Sequence, residues 1–149
     1  MLSANTRVSY VLAAPQLAAD LGHLKLMCGG GTSELLEQLL CRMLTEGSYE
    51  KHRKRIADRL LESGGRVAQW LERLGCVALF SGGMFIWAQL PEGEDAEILA
   101  RKGMAQGLLL APGSLFSRHQ RFARFMRFNV AYSDDPHVEQ AFSALISNA

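Results

Sequence analysis

No stretch of the sequence approaches the roughly 20 consecutive apolar residues that cross a bilayer, and Gly, Pro or Ser break the longest candidates, so the reading excludes a membrane-spanning role. Net charge is missing as well. Sixteen basic residues stand against fifteen acidic ones, leaving +1, which gives no overall pull toward nucleic acid or an anionic surface; any such role must live in a local patch. Cysteine is scarce. Cys28, Cys41 and Cys76 form neither an even set nor a C-x-x-C pair, which argues for a reducing, cytoplasmic setting and for thiols packed as small hydrophobes. His23, His52, His119 and His137 stand at no ligand spacing, so no metal site is expected. What is abundant is apolar surface: 48% hydrophobic residues over 149 positions suit a soluble globule with a sizeable core.

The opening run RVSYVLA, residues 7–13, reads as a buried strand and not as a signal peptide, because Ser9 and Tyr10 interrupt an already short apolar region. Pro15 then opens a helix with Leu17, Leu21 and Leu24 at helical spacing. The run Gly29 to Gly31 breaks it, Thr32 or Ser33 can cap the next helix, and the leucines that nearly encircle SELLEQLLCRMLTEG predict that this second helix is well buried. From Ser48 to Leu74 one apolar stripe persists, with a basic outer face over His52 to Arg55 and a bend expected at Ser63-Gly64-Gly65. Continuous, it would be about 40 Å long, enough to bridge two bodies. CVALFS and GMFIWAQLP follow as two strands joined at Ser81-Gly82-Gly83, then a helix from Asp95 to Gln106, the short run LLLAPG, and FMRFNVAYS. In that last run Phe125, Arg127 and Asn129 share one side and Met126, Phe128 and Val130 the other. Asp134 or Asp135 caps a final helix with Pro136 in its first turn. The fold class is α/β, with an α+β body from residue 48 onward.

Few motifs carry chemistry. CGGGTSE lacks the Lys-Ser/Thr ending of a phosphate loop and the G-x-G-x-x-G spacing, and is explained as a helix break and cap. Ser114 has no G-x-S-x-G elbow around it and reads as loop chemistry. Arg118, Arg121, Arg124 and Arg127 recur every third residue among Phe122, Phe125 and Phe128, yet neither helix nor strand geometry lines them up as one stripe. The first three read as a solvated loop face. Arg127 differs: it sits inside an apolar alternation, where an unpaired guanidinium is costly and an arginine usually has an anion or a buried carboxylate beside it.

The succession RVSYVLA, YEKHRKR, GGMFIWAQLP, GLLLAPGSLFS and FMRFNVAYSD resembles, over essentially the whole chain, the C-terminal part of fold-type-I aminotransferases that use pyridoxal phosphate. The closest likeness is to the aminotransferase-like domain of MocR-type, GntR-family transcriptional regulators. The resemblance implies that residues 1–47 are the tail of the large cofactor-binding domain and 48–149 the small C-terminal domain, a mostly antiparallel sheet packed by helices, one of them the long bridging helix. It implies that Arg127 binds the α-carboxylate of an amino-acid substrate or effector, and that Arg7 binds the cofactor phosphate. The Schiff-base lysine is expected just ahead of Met1; Lys25, Lys51, Lys54 and Lys102 stand in none of the matching context. The chain alone is therefore expected to be inactive and to bind pyridoxal phosphate weakly if at all. DNA contact is expected only through an upstream winged-helix domain. Self-association, in the family sense a homodimer, is expected through the Leu-rich residues 17–44. A plain amino-acid aminotransferase is the alternative parent, and a freestanding module holding RNA or an acidic partner on Arg118, Arg121 and Arg124 is the alternative of another class.

Overall fold

A computed structural model describes residues 8–29, 31–117 and 120–147. The chain divides into two compact units, Met1–Arg55 and Ile56–Ala149.

In the first unit, residues 8–14 form no strand, with Tyr10 85% and Leu12 89% exposed. A strand exists only where a neighbour completes its ladder, and the described residues beside this segment supply none. Two helices follow, α1 (Pro15–Met27) and α2 (Glu34–Thr45), neither with a buried residue. The expectation of a well-buried α2 is thus overturned: Leu35 and Leu44 remain exposed. Leucines all round a helix become core only where other elements cover every side. Cys28 and Cys41 are exposed too, contrary to their reading as packed hydrophobes.

The long helix is α3 (Ser48–Arg73), 26 residues that Ser63-Gly64-Gly65 do not interrupt. Gly64 answers a different need. It is buried, and a Cβ there would collide with the Phe80 ring, whose Cε2 lies 2.7 Å from that position. The glycine lets an aromatic ring lie directly on the helix backbone.

In the second unit β1 (Val77–Leu79) and β2 (Phe85–Gln89) pair antiparallel across the Gly82-Gly83 turn, where both glycines have positive φ. Next comes α4 (Ala96–Ala105), whose N-cap Asp95 accepts from the backbone N–H groups of Glu97 and Ile98. After it come β3 (Ala111–Pro112), β4 (Phe125–Asn129), the single turn α5 (Val130–Ser133) and α6 (Pro136–Ser147). Of the two candidate caps, Asp135 takes the His137 N–H at 2.8 Å. The four strands order as β1-β2-β4-β3, every pair antiparallel.

Alternation along β2 and β4 sorts the two sheet faces. Ile86, Ala88, Met126 and Phe128 turn inward and meet Val67, Trp70 and Leu71 of α3, Leu99 of α4, and Phe142 and Leu145 of α6 in one core. At its centre Trp70, Phe128 and Phe142 pack edge to face, with centroids 5.1–5.8 Å apart, a favoured aromatic geometry. Two ion pairs tie α3 to the chain around α6: Arg66 holds Asp134 through Nε at 3.0 Å and Nη2 at 2.6 Å, and Arg73 holds Glu139 at 2.6 Å. The guanidinium of Arg66 keeps the Asp134 carboxyl below the usual carboxylate range. No described helix is long and apolar enough to cross a membrane.

Candidate functional site: an arginine among aromatic rings

The outward sheet face carries the other half of the alternation: Phe85, Trp87 and Gln89 from β2, and Phe125, Arg127 and Asn129 from β4. Register places Trp87 directly opposite Arg127 on one flank and Ala111 opposite it on the other. Chain connectivity then adds rings from the 113–125 segment. Gly113 makes this possible: a Cβ there would run into the Phe122 carbonyl and would lie 3.1 Å from the Phe125 carbonyl oxygen. Because no side chain stands between them, the turn after β3 closes against residues 122–125 and brings Phe116 over the sheet.

The result is a continuous aromatic layer. Trp87 stacks on Phe125 at 5.6 Å and meets Phe116 and Phe122 edge-on at 5.8 and 5.9 Å. Within it the Arg127 guanidinium carbon lies 4.3 Å from the Phe85 centroid and 4.0 Å from the Phe116 centroid. Among the described residues no carboxylate pairs with Arg127. The cation is held by ring faces, which attract it electrostatically without accepting its in-plane N–H bonds.

The other arginines of the series part ways. Arg118 lies outside the described residues, as does Arg7. Arg121 is exposed, its guanidinium 4.7 Å from the Phe122 centroid. Arg124 is not part of a solvated face: Nη2 donates to the Leu90 carbonyl at 2.9 Å, and the Arg124 carbonyl accepts from Leu90 N–H at 2.7 Å. It fastens the entry of β4 to the exit of β2. Ser114 is exposed, and the described residues give its hydroxyl no hydrogen-bond partner.

Phe85, Trp87 and Phe116 were not singled out as site residues from sequence. Period-two alternation in GGMFIWAQLP could have put Phe85 and Trp87 on one face, but nothing local to Phe116 announces its place over Arg127. Elsewhere, a groove of about 430 Å³ between α3 and the start of α6 is lined by Arg66, Trp70, Arg73, Asp134 and Glu139, and both of its arginines already hold carboxylates. Among the described residues no cluster of three His, Cys, Asp or Glu could hold a metal ion. Lys25 donates to Thr32, and Lys51, Lys54 and Lys102 are exposed.

No protein-family model matches the sequence. The chain is 32% identical over 143 residues to the uncharacterized HTH-type transcriptional regulator YdcR of Escherichia coli, covering 93% of the chain and 30% of that protein. It is 24% identical over 149 residues to aromatic-amino-acid aminotransferase 1 of Thermococcus litoralis, covering 97% of the chain and 36% of the relative. Among solved structures, LysN, an alpha-aminoadipate aminotransferase of Thermus thermophilus complexed with N-(5'-phosphopyridoxyl)-L-leucine, superposes with a TM-score of 0.78 at 24% identity, over 96% of the chain and 38% of that protein. The chain therefore spans about a third of the length of the relatives it matches.

Proposed function

Since the chain carries the C-terminal part of the fold-type-I aminotransferase fold, in the branch that aminotransferases share with MocR-type GntR regulators, we propose that it is the aminotransferase-like effector portion of such a regulator. Its contribution is the arginine that receives the carboxylate of an amino acid. The observation that carries this reading is Arg127: a half-buried guanidinium, fixed on a sheet face, with no carboxylate partner among the described residues. A planar guanidinium presents parallel N–H donors that match two carboxylate oxygens, which an ammonium cannot do.

On this reading residues 1–47 are the tail of the large domain and 48–149 the small domain. The exposed leucines of α1 and α2 support that division, since a large domain would cover them. Arg7 is assigned to the cofactor phosphate by its position in the motif. Pyridoxal phosphate, when bound to the whole protein, would supply the electron sink for amino-acid chemistry. DNA would be reached through an upstream winged helix, the whole protein would work as a cytoplasmic dimer, and this chain by itself would be inactive. Borohydride reduction of the chain mixed with pyridoxal phosphate should trap no cofactor at a specific lysine, whereas stoichiometric trapping at one lysine would contradict this.

A plain aminotransferase is the second reading, supported by the match along 149 residues to the aromatic-amino-acid aminotransferase of Thermococcus litoralis. The RNA or acidic-partner module is disfavoured, because Arg124 spends its guanidinium on the Leu90 carbonyl. The test is a nuclear magnetic resonance titration of the 149-residue chain with L-leucine and with L-leucinamide, which lacks the carboxylate. L-Leucine should shift the Trp87 indole and Arg127 side-chain signals saturably and leucinamide should not. Arg127→Lys should weaken the L-leucine response about tenfold or more, the scale of a charge-assisted hydrogen bond. Equal responses to both ligands, or a lysine variant that titrates like the wild type, would refute the assignment.

A further inference from the structure

We infer that Phe85 and Phe116 are positioning residues: a two-ring clamp that holds the Arg127 guanidinium so that only its in-plane edge faces an incoming carboxylate. The inference rests on the Arg127 reading above and deepens it. The rings come from the two sides of β4, Phe85 from its neighbour β2 and Phe116 from the turn that follows its other neighbour β3. Their centroids lie 4.3 and 4.0 Å from the guanidinium carbon, close enough to shut out water from the faces they cover. Both rings remain open to solvent, Phe85 40% and Phe116 46% exposed, so a ligand can reach the edge they leave free.

The clamp has a supporting frame. Phe116 also meets Trp87 at 5.8 Å, and Trp87 stacks on Phe125, which is two residues from Arg127 on the same strand face. Gly113 sets the turn that delivers Phe116. A free arginine is rich in rotamers and must be ordered when it binds an anion, whereas one already held between rings has been ordered by folding. The clamp therefore selects for a flat two-oxygen acceptor arriving edge-on, and raises affinity for it without touching the ligand's charge.

The experiment compares the wild type, Phe85→Leu/Phe116→Leu, Phe116→Tyr and Arg127→Lys in the 149-residue chain. Its readouts are the Arg127 Nε–Hε resonance and the L-leucine titration, with the core Trp70 indole signal as the check on folding. In the wild type the Hε signal should be ring-shifted upfield and show slowed side-chain motion. The double leucine variant should lose both features and bind L-leucine about two- to twelvefold more weakly, the scale of immobilising one long side chain. Phe116→Tyr should keep the ring, the shift and the affinity. If Arg127→Lys abolishes binding while the double leucine variant shifts and binds like the wild type, the clamp is overturned and the arginine assignment stands. If Arg127→Lys binds like the wild type, both fall together. A Trp70 signal that moves in the double leucine variant sends the comparison to Phe85→Leu and Phe116→Leu singly, each expected to lose part of the ring shift; neither losing any would overturn the clamp.

Discussion

Replacing Gly64 by alanine should have opposite effects depending on whether Phe80 is present. In an exposed helix interior the change stabilises by about 1 kcal/mol, because alanine surrenders less backbone entropy than glycine. At position 64 the added methyl would stand inside the space of the Phe80 ring. Overpacking of this kind costs about 1–3 kcal/mol, or else the ring swings out and forfeits its packing against the core. The net expectation for Gly64→Ala is a loss of about 0–2 kcal/mol. With Phe80→Ala already made, the methyl meets no ring and the gain of about 1 kcal/mol should appear. The coupling between the two positions should thus be about 1–3 kcal/mol, within the range for residues in contact. Urea unfolding followed by tryptophan fluorescence reads it directly, since Trp70 and Trp87 both lie in the second unit. A Gly64→Ala substitution that stabilises both backgrounds by the same amount would show that Phe80 does not rest on the helix, and the account of this glycine would be wrong.

The Arg66–Asp134 pair predicts a pH dependence. Because Arg66 holds the Asp134 carboxyl below its ordinary value, the contribution is fully present above the unfolded carboxylate pKa of about 3.9 and is lost as pH falls through the depressed folded value. Asp134→Asn should flatten that part of the acid limb in a thermal-unfolding series from pH 7 to 2; an unchanged limb would show that the pair carries no linkage. Thiol reactivity should separate the three cysteines. Cys76 is buried, and burial with the nearby Glu94 charge pushes its thiol up to about 11, while Cys28 and Cys41 are exposed. At pH 8 a disulfide reagent should therefore label two thiols rapidly and the third only on unfolding. Three equal rates would contradict the burial of Cys76.

Much of the second unit was legible from sequence because its signals are local. Turn glycines at Gly82-Gly83, the helix opening at Asp95, Pro136 behind an acidic cap and the period-two alternation of β4 each depend on residues a few positions apart, and the elements formed at those signals. The strand expected through Ser133 stops at Asn129, whose side chain accepts from the Ala131 N–H and starts the helical turn α5 instead. The outward alternation also marked Arg127 as a charge out of place. The strand expected over residues 7–13 and the buried α2 failed for a common reason: both states require neighbours, and apolar content alone does not supply them. Gly64 read as a bend and Gly113 as the end of a short apolar run, yet each serves a close approach by a segment distant from it or folded back upon it. Arg124 looked solvated and is tied to a carbonyl 34 positions away.

The sequence by itself thus determined most elements of the second unit, the two-sided alternation of β4, and the identity of the one arginine set among apolar neighbours, because helix caps, turn glycines and side-chain period are written within a few residues. Only the tertiary structure decided what surrounds that arginine. Phe85, Trp87 and Phe116 reach it through sheet register and through the turn that Gly113 permits, and register and close approach are relations between distant segments that no local pattern encodes.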